Sequence, residues 1–146
     1  MEKRTSLFNW HISPFLQMGV ALGIAMVILI VIKIGISASF LNNNPTVYWE
    51  GAFSVLLLYM VFNAGWSFAY NKKFYFLYSI MCYVIIAVVT GYLAQLFSGI
   101  SMDEAGYFRW MYVVFTIGYL IFLGIVNAMR VILELVKKQD AALRGE

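Results

Sequence analysis

The chain has 146 residues, of which 63% are hydrophobic, 18% aromatic and only 12% charged, about half the charge usual in a soluble domain. That balance excludes a water-soluble monomer, and 11 Gly, 2 Pro and the absence of low-complexity tracts exclude disorder. The single cysteine, Cys82, rules out an intramolecular disulfide, a CxxC pair and a multi-cysteine zinc site; the single histidine, His11, rules out haem held between two of the chain's imidazoles.

Four apolar stretches are each near or above the roughly 20 residues that cross about 30 Å of hydrocarbon. The first is expected over residues 15–40, opened by Ser13 as a capping hydroxyl and Pro14 at the first helical position, where its missing N–H costs nothing. The second, residues 47–70, follows Asn42-Asn43-Asn44-Pro45, which stops one helix and caps the next. The third, residues 74–97, is separated from the second only by Asn71-Lys72-Lys73, so these two form a tight antiparallel hairpin. The fourth, residues 104–130, opens on a capping box with Ser101 as cap and Glu104 three residues on. The fold class is therefore all-α: a polytopic membrane protein with four transmembrane helices in an antiparallel bundle, one domain over residues 1–146.

Orientation follows from the basic residues, which short loops retain on the cytoplasmic side. Lys3, Arg4, Lys72, Lys73, Arg130, Lys137, Lys138 and Arg144 fall on one side; only Lys33 and Arg109 fall on the other, with Glu50, Asp103 and Glu104 around them. Both termini are expected in the cytoplasm and the protein in the inner (plasma) membrane. The first apolar stretch is too long for the core of a secretory signal, in spite of Lys3, Arg4 and a weak Ser37-Ala38-Ser39 cleavage pattern.

Before the first span, residues 1–13 read as a short interfacial segment with Phe8, Ile12 and Phe15 at helical spacing, or equally as an irregular arm anchored by Trp10. After the fourth, residues 131–146 read as a cytoplasmic helical tail. Ile132, Leu135, Val136 and Leu143 keep one stripe, and Glu134 pairs with Lys138 at i,i+4. An exposed stripe calls for a partner; the competing expectation is that the tail packs on the protein's own inner face or frays into solvent, with Lys137, Lys138 and Arg144 attracted to anionic headgroups.

Ionisable groups at bilayer depth cost roughly 2.5 to 3.5 kcal/mol each on insertion scales, which makes them candidate functional residues. Lys33, Glu50 and Arg109 all fall within roughly 7 to 12 Å of the outer boundary at 1.5 Å per residue. They are expected to converge as a polar cluster, extended by Gln95, with a surplus positive charge for Asp103, Glu104, a lipid headgroup, a partner carboxylate or a transported anion. The competing expectation is that Lys33 and Arg109 snorkel to phosphates on their long stems. In the inner half, Asn63 and Asn127 suit a hydrogen bond between helices or, less simply, an inner path.

Gly19 and Gly23 form a GxxxG, and Gly91 and Gly124 belong to small-xxx-small pairs with Ala87 and Ala128, all read first as helix-packing positions. Ser54, Ser67, Ser79, Thr90 and Thr116 are expected to return their hydroxyls to carbonyls one turn back. Tyr48, Trp49, Tyr107 and Trp110 at one boundary and Trp10, Trp66, Tyr70 and Tyr75 at the other are depth anchors.

Catalysis would need a nucleophile with a base, a carboxylate-rich metal site or a redox centre, and none is visible. The marks of small four-helix families are also missing: there is no CxxC of the membrane thiol oxidases, and Lys33 is the only ionisable residue in the first helix, where small multidrug exporters carry a glutamate. The Glu-Arg motif of glutathione-dependent membrane transferases has no counterpart. The chain is expected to be non-catalytic, without cofactor, metal or nucleic acid. Its expected partners are the lipid bilayer and either other membrane subunits or a second copy. The alternative is a small transporter, channel or lipid-binding carrier with Lys33, Glu50 and Arg109 at its outer mouth and Asn63 and Asn127 on its inner path.

Overall fold

The computed structural model describes residues 13–69 and 74–143. The expected interfacial segment apart from Ser13, the Asn71-Lys72-Lys73 connection and Arg144 lie outside the described residues. Among the described residues the fold has four helices: α1 (Pro14–Ser37), α2 (Thr46–Ala69), α3 (Tyr75–Ser98) and α4 (Phe108–Leu143). All four contain segments long and apolar enough to cross a membrane. Their outward surfaces are lined with large apolar side chains such as Val27, Val61, Val88, Leu96 and Val114. A water-soluble monomer rarely exposes apolar patches beyond a few hundred Å², so this is a multi-pass membrane protein.

Local chemistry sets the helix ends. The Ser13 hydroxyl accepts the Leu16 N–H at 3.3 Å, and Pro14 occupies the first turn of α1. The helix stops at Ser37, three residues earlier than expected, because the chain folds back: the N–H groups of Phe40 and Leu41 both donate to the Gly35 carbonyl, with Ser39 at φ 60°. A Cβ on Gly35 would sit 2.7 Å from the Leu41 Cδ1, so the Leu41 side chain closes over this glycine. Asn44 Oδ1 accepts the Thr46 N–H at 3.1 Å and caps α2, and Gly99 at φ 72° ends α3.

The Ser101–Glu104 capping box closes in both directions: the Ser101 N–H donates to Glu104 Oε2 at 2.8 Å, and the Glu104 N–H to Ser101 Oγ at 3.4 Å. It opens only a series of turns, however. Gly106 at φ 80° breaks the path, and α4 starts at Phe108 rather than at residue 104. Ala105 is buried, tucking this connection against the bundle.

Contact registers fix the topology. Gly51 of α2 meets Ile28 and Ile32 of α1, while Asn63 meets Gln17, so α1 and α2 are antiparallel. Tyr59 reaches Ser79 and Tyr48 reaches Phe97, which makes α2 and α3 antiparallel. Phe53 packs on Phe108, Tyr112 and Phe115 and Asn63 bonds Tyr119, so α4 runs alongside α2 in the same direction. The least apolar span is central: α2, with a mean hydropathy of 1.3 against 2.7 for α1, packs on the other three, and α4 is held mainly by it.

The Ser101 donors hold the exposed Glu104 carboxyl below its usual carboxylate range. A depressed acid contributes stability that is present above its unfolded-state value and is lost as pH falls through the folded value. Glu104→Gln is therefore expected to melt below the parent near neutral pH and to match it in acid; a pH series of melting temperatures in detergent checks this.

Candidate functional site

One hydrogen-bonded chain of polar side chains joins all four helices. The Tyr119 O–H on α4 donates to Asn63 Oδ1 on α2 at 2.8 Å, and Asn63 Nδ2 donates to Gln17 Oε1 on α1 at 2.9 Å. Gln17 Nε2 then donates to the Tyr75 hydroxyl on α3 at 3.2 Å. Asn63 is fully buried, Tyr75 and Tyr119 nearly so, and Gln17 partly. The network lies near the end of the bundle where α1 and α3 begin, since Gln17 is in the first turn of α1 and Tyr75 opens α3.

A second layer lies above it. The Thr116 hydroxyl returns to the Tyr112 carbonyl at 2.6 Å and lies 2.7 Å from the Tyr83 hydroxyl, so the Tyr83 O–H is the donor of that pair. The Tyr83 and Tyr119 rings, 4.6 Å apart, connect the layers. Leu56 and Ile86 beyond this layer, and Leu123 on the other side of Asn63, are fully buried and fill the axis with hydrocarbon. Ser54 and Thr90 also bond one turn back, at 2.8 and 2.7 Å, whereas the buried Ser79 Oγ has no partner among the described residues.

The expected outer-leaflet cluster does not assemble. Lys33 Nζ lies 5.5 Å from the centroid of the Phe97 ring, a cation–π contact. Arg109 Nη1 instead pairs with Asp103 Oδ1 at 2.8 Å, both side chains largely exposed. Glu50 is exposed and makes no ion pair among the described residues; its backbone carbonyl accepts the Ser54 hydroxyl. Gln95 is also exposed, and its carbonyl receives the Gly99 N–H that ends α3. The reason is α4's late start: Arg109 lies in its first turn, within reach of the acidic connection six residues back.

Two further expectations are corrected. Asn127 is exposed on α4, away from Asn63, which takes Tyr119 and Gln17 instead. Of the four packing glycines, Gly91 is buried with the Met102 methyl 4.0 Å from the position of an added Cβ, but Gly19, Gly23 and Gly124 have nothing within 4 Å. The buried stripe of α1 is Ala21, Ala25, Leu29 and Ile32, which turns the GxxxG outward. Gly51, not singled out from the sequence, makes the close helix crossing: a Cβ there would lie 2.8 Å from Ile32 Cδ1.

Gln17 and Tyr119 were also missed, and Tyr75 was read only as a depth anchor. A signal for Gln17 exists: antiparallel pairing of the first two spans brings a glutamine near the start of one to the level of an asparagine near the end of the other. Nothing comparable marks Tyr119 among 10 tyrosines. Chemically the network is neutral, with amide and phenol groups suited to holding helices together. Among the described residues no three His, Cys, Asp or Glu side chains come together as metal ligands would.

Asn63→Leu leaves the Tyr119 hydroxyl and the Gln17 carbonyl oxygen without these partners and is expected to destabilise the folded state by about 1–3 kcal/mol. Combined with Tyr119→Phe it is expected to show a coupling of about 0.6 kcal/mol or more in a double-mutant cycle in detergent. The Lys33→Met and Glu50→Gln pair is expected to add within about 0.5 kcal/mol.

No known protein family, characterised protein or solved structure matches this chain.

Proposed function

We propose that this is a non-catalytic integral protein of the inner membrane, with both ends in the cytoplasm, serving as a subunit or assembly partner of a larger membrane complex or as a homo-oligomer. The reading rests on the second half of α4. From Asn127 to the end of the helix no described residue is buried, yet Met129, Val131, Ile132, Leu133, Leu135 and Val136 are large and apolar. From the Asn63–Tyr119 bond, α2 continues for about 9 Å and α4 for about 36 Å at 1.5 Å per residue, so α4 overhangs by roughly 27 Å if the helices stay aligned. An overhanging helix whose stretch 129–136 is apolar apart from Arg130 and Glu134 calls for a covering partner.

The orientation rests on the sequence positions of the basic residues: eight of ten Lys and Arg precede α1, fall between α2 and α3, or lie in and after the second half of α4.

Gentle extraction followed by native mass spectrometry is expected to find the chain in a complex of fixed stoichiometry. Ile132→Glu with Leu135→Glu, both at exposed positions, is expected to dissolve that complex while changing intrinsic stability by no more than about 0.5 kcal/mol per site. A monomer carrying no other protein at any extraction strength would contradict the reading.

A further inference from the structure

Where α1 and α2 leave the polar network, they part to form a groove of about 560 Å³. Its walls include Val20, Ala21 and Ile24 of α1 and Leu58, Phe62 and Trp66 of α2. Two lining residues carry polar groups that bond within the bundle: the Gln17 amide to Asn63 and Tyr75, and the Tyr59 hydroxyl to the Ser79 carbonyl. The groove therefore offers hydrocarbon and no charge, which disfavours an ion, a sugar or a headgroup as occupant.

We propose that this groove holds one acyl chain of a membrane phospholipid. The chemistry of the wall matches an uncharged chain, and the size is right: the volume falls in the range of roughly 300–1,000 Å³ typical of small-molecule sites. On α1 the lining runs from Leu16 to Ile24, about 12 Å at 1.5 Å per residue, close to the roughly 15 Å thickness of one hydrocarbon leaflet. The lining begins at Leu16, one turn from Ser13 at the start of α1, and Trp66 stands at that end as an interfacial ring would.

A protein occupant fits less well. A stable interface takes about 20–30 residues a side, whereas nine line this groove, and a helix with its side chains is about 10–12 Å across. Left empty, the lining would lose dispersion contacts along its whole length. Water gains nothing there, because an apolar cavity without free polar partners stays dry. A chain entering sideways from the bilayer restores the contacts and braces α1 against α2 beside the Gln17–Asn63 bond.

The test uses full-length protein reconstituted in vesicles of phosphatidylethanolamine and phosphatidylglycerol, re-extracted in mild detergent and weighed by native mass spectrometry. One phospholipid per chain is expected to survive washing. Val20→Trp and Leu58→Trp, which fill the groove from exposed positions, are expected to lower retention at least roughly tenfold, while Val114→Trp on α4 leaves it unchanged. Added phospholipid is expected to raise the melting temperature of delipidated parent but not of the filled variants. The Ile132→Glu variant is expected to keep its lipid, which separates this site from the proposed assembly surface.

A parent chain that retains no lipid would overturn the proposal, as would filled variants that retain it fully. So would a photoreactive probe on Val20→Cys that captures a peptide, from a second copy or from residues 1–12, in place of a phospholipid.

Discussion

In a bilayer the lipid tails are as apolar as leucine, so helices gain little from burying hydrocarbon against one another and depend on close packing and on hydrogen bonds that lipid cannot replace. The Tyr119–Asn63–Gln17–Tyr75 chain meets that requirement with four side chains, one from each helix. Asn63 is its centre: a fully buried amide that donates toward α1 and accepts from α4. That α2 carries it agrees with α2 being the least apolar span and the most enclosed. Polarity is gathered inward and hydrocarbon is turned to the bilayer.

The placement of α4 follows from the same contact. Tyr119 is the twelfth residue of α4, whereas Gln17 and Tyr75 stand at or near the starts of their helices. Joining them in one layer shifts α4 along the bundle axis. At its beginning the shift leaves room for the Ser101–Glu104 turn and the buried Ala105, with Phe108 meeting Phe53 well inside α2. At its far end the shift carries the apolar residues of 129–136 past everything that covers the first half. The aromatic cluster around Phe53 and the Tyr83–Thr116 pair hold the first half of α4, and no described residue after Val126 is buried.

The charged residues respond to this geometry rather than directing it. Arg109 has Asp103 on its own connection, so it does not need Glu50, and Lys33 lies over the Phe97 ring. Exposed pairs of the Arg109–Asp103 kind are worth about 0–1 kcal/mol, too little to draw helices together. Amides and phenols set the arrangement, and the ions settle at its edges.

The four spans were legible in the sequence because length and hydropathy follow from the cost of exposing backbone polar groups to hydrocarbon, which every crossing segment must satisfy within itself. Ser13, Asn44 and the Ser101–Glu104 pair mark turns and caps for equally local reasons, their partners lying a few residues away. The facing of each helix was not legible. α1 is apolar on nearly every side, so apart from Gln17, one turn before Ala21, nothing in its pattern distinguishes the outward Gly19 and Gly23 from the inward Ala21 and Ala25. Nor does the composition of α4 reveal how far it slides along α2, although that shift decides whether Asn127 or Tyr119 meets Asn63, and whether Arg109 meets Glu50 or Asp103. Span count and caps are properties of one segment and its solvent, so sequence alone determined them; rotation and axial register are relations between segments, and only packing the four helices together decided those.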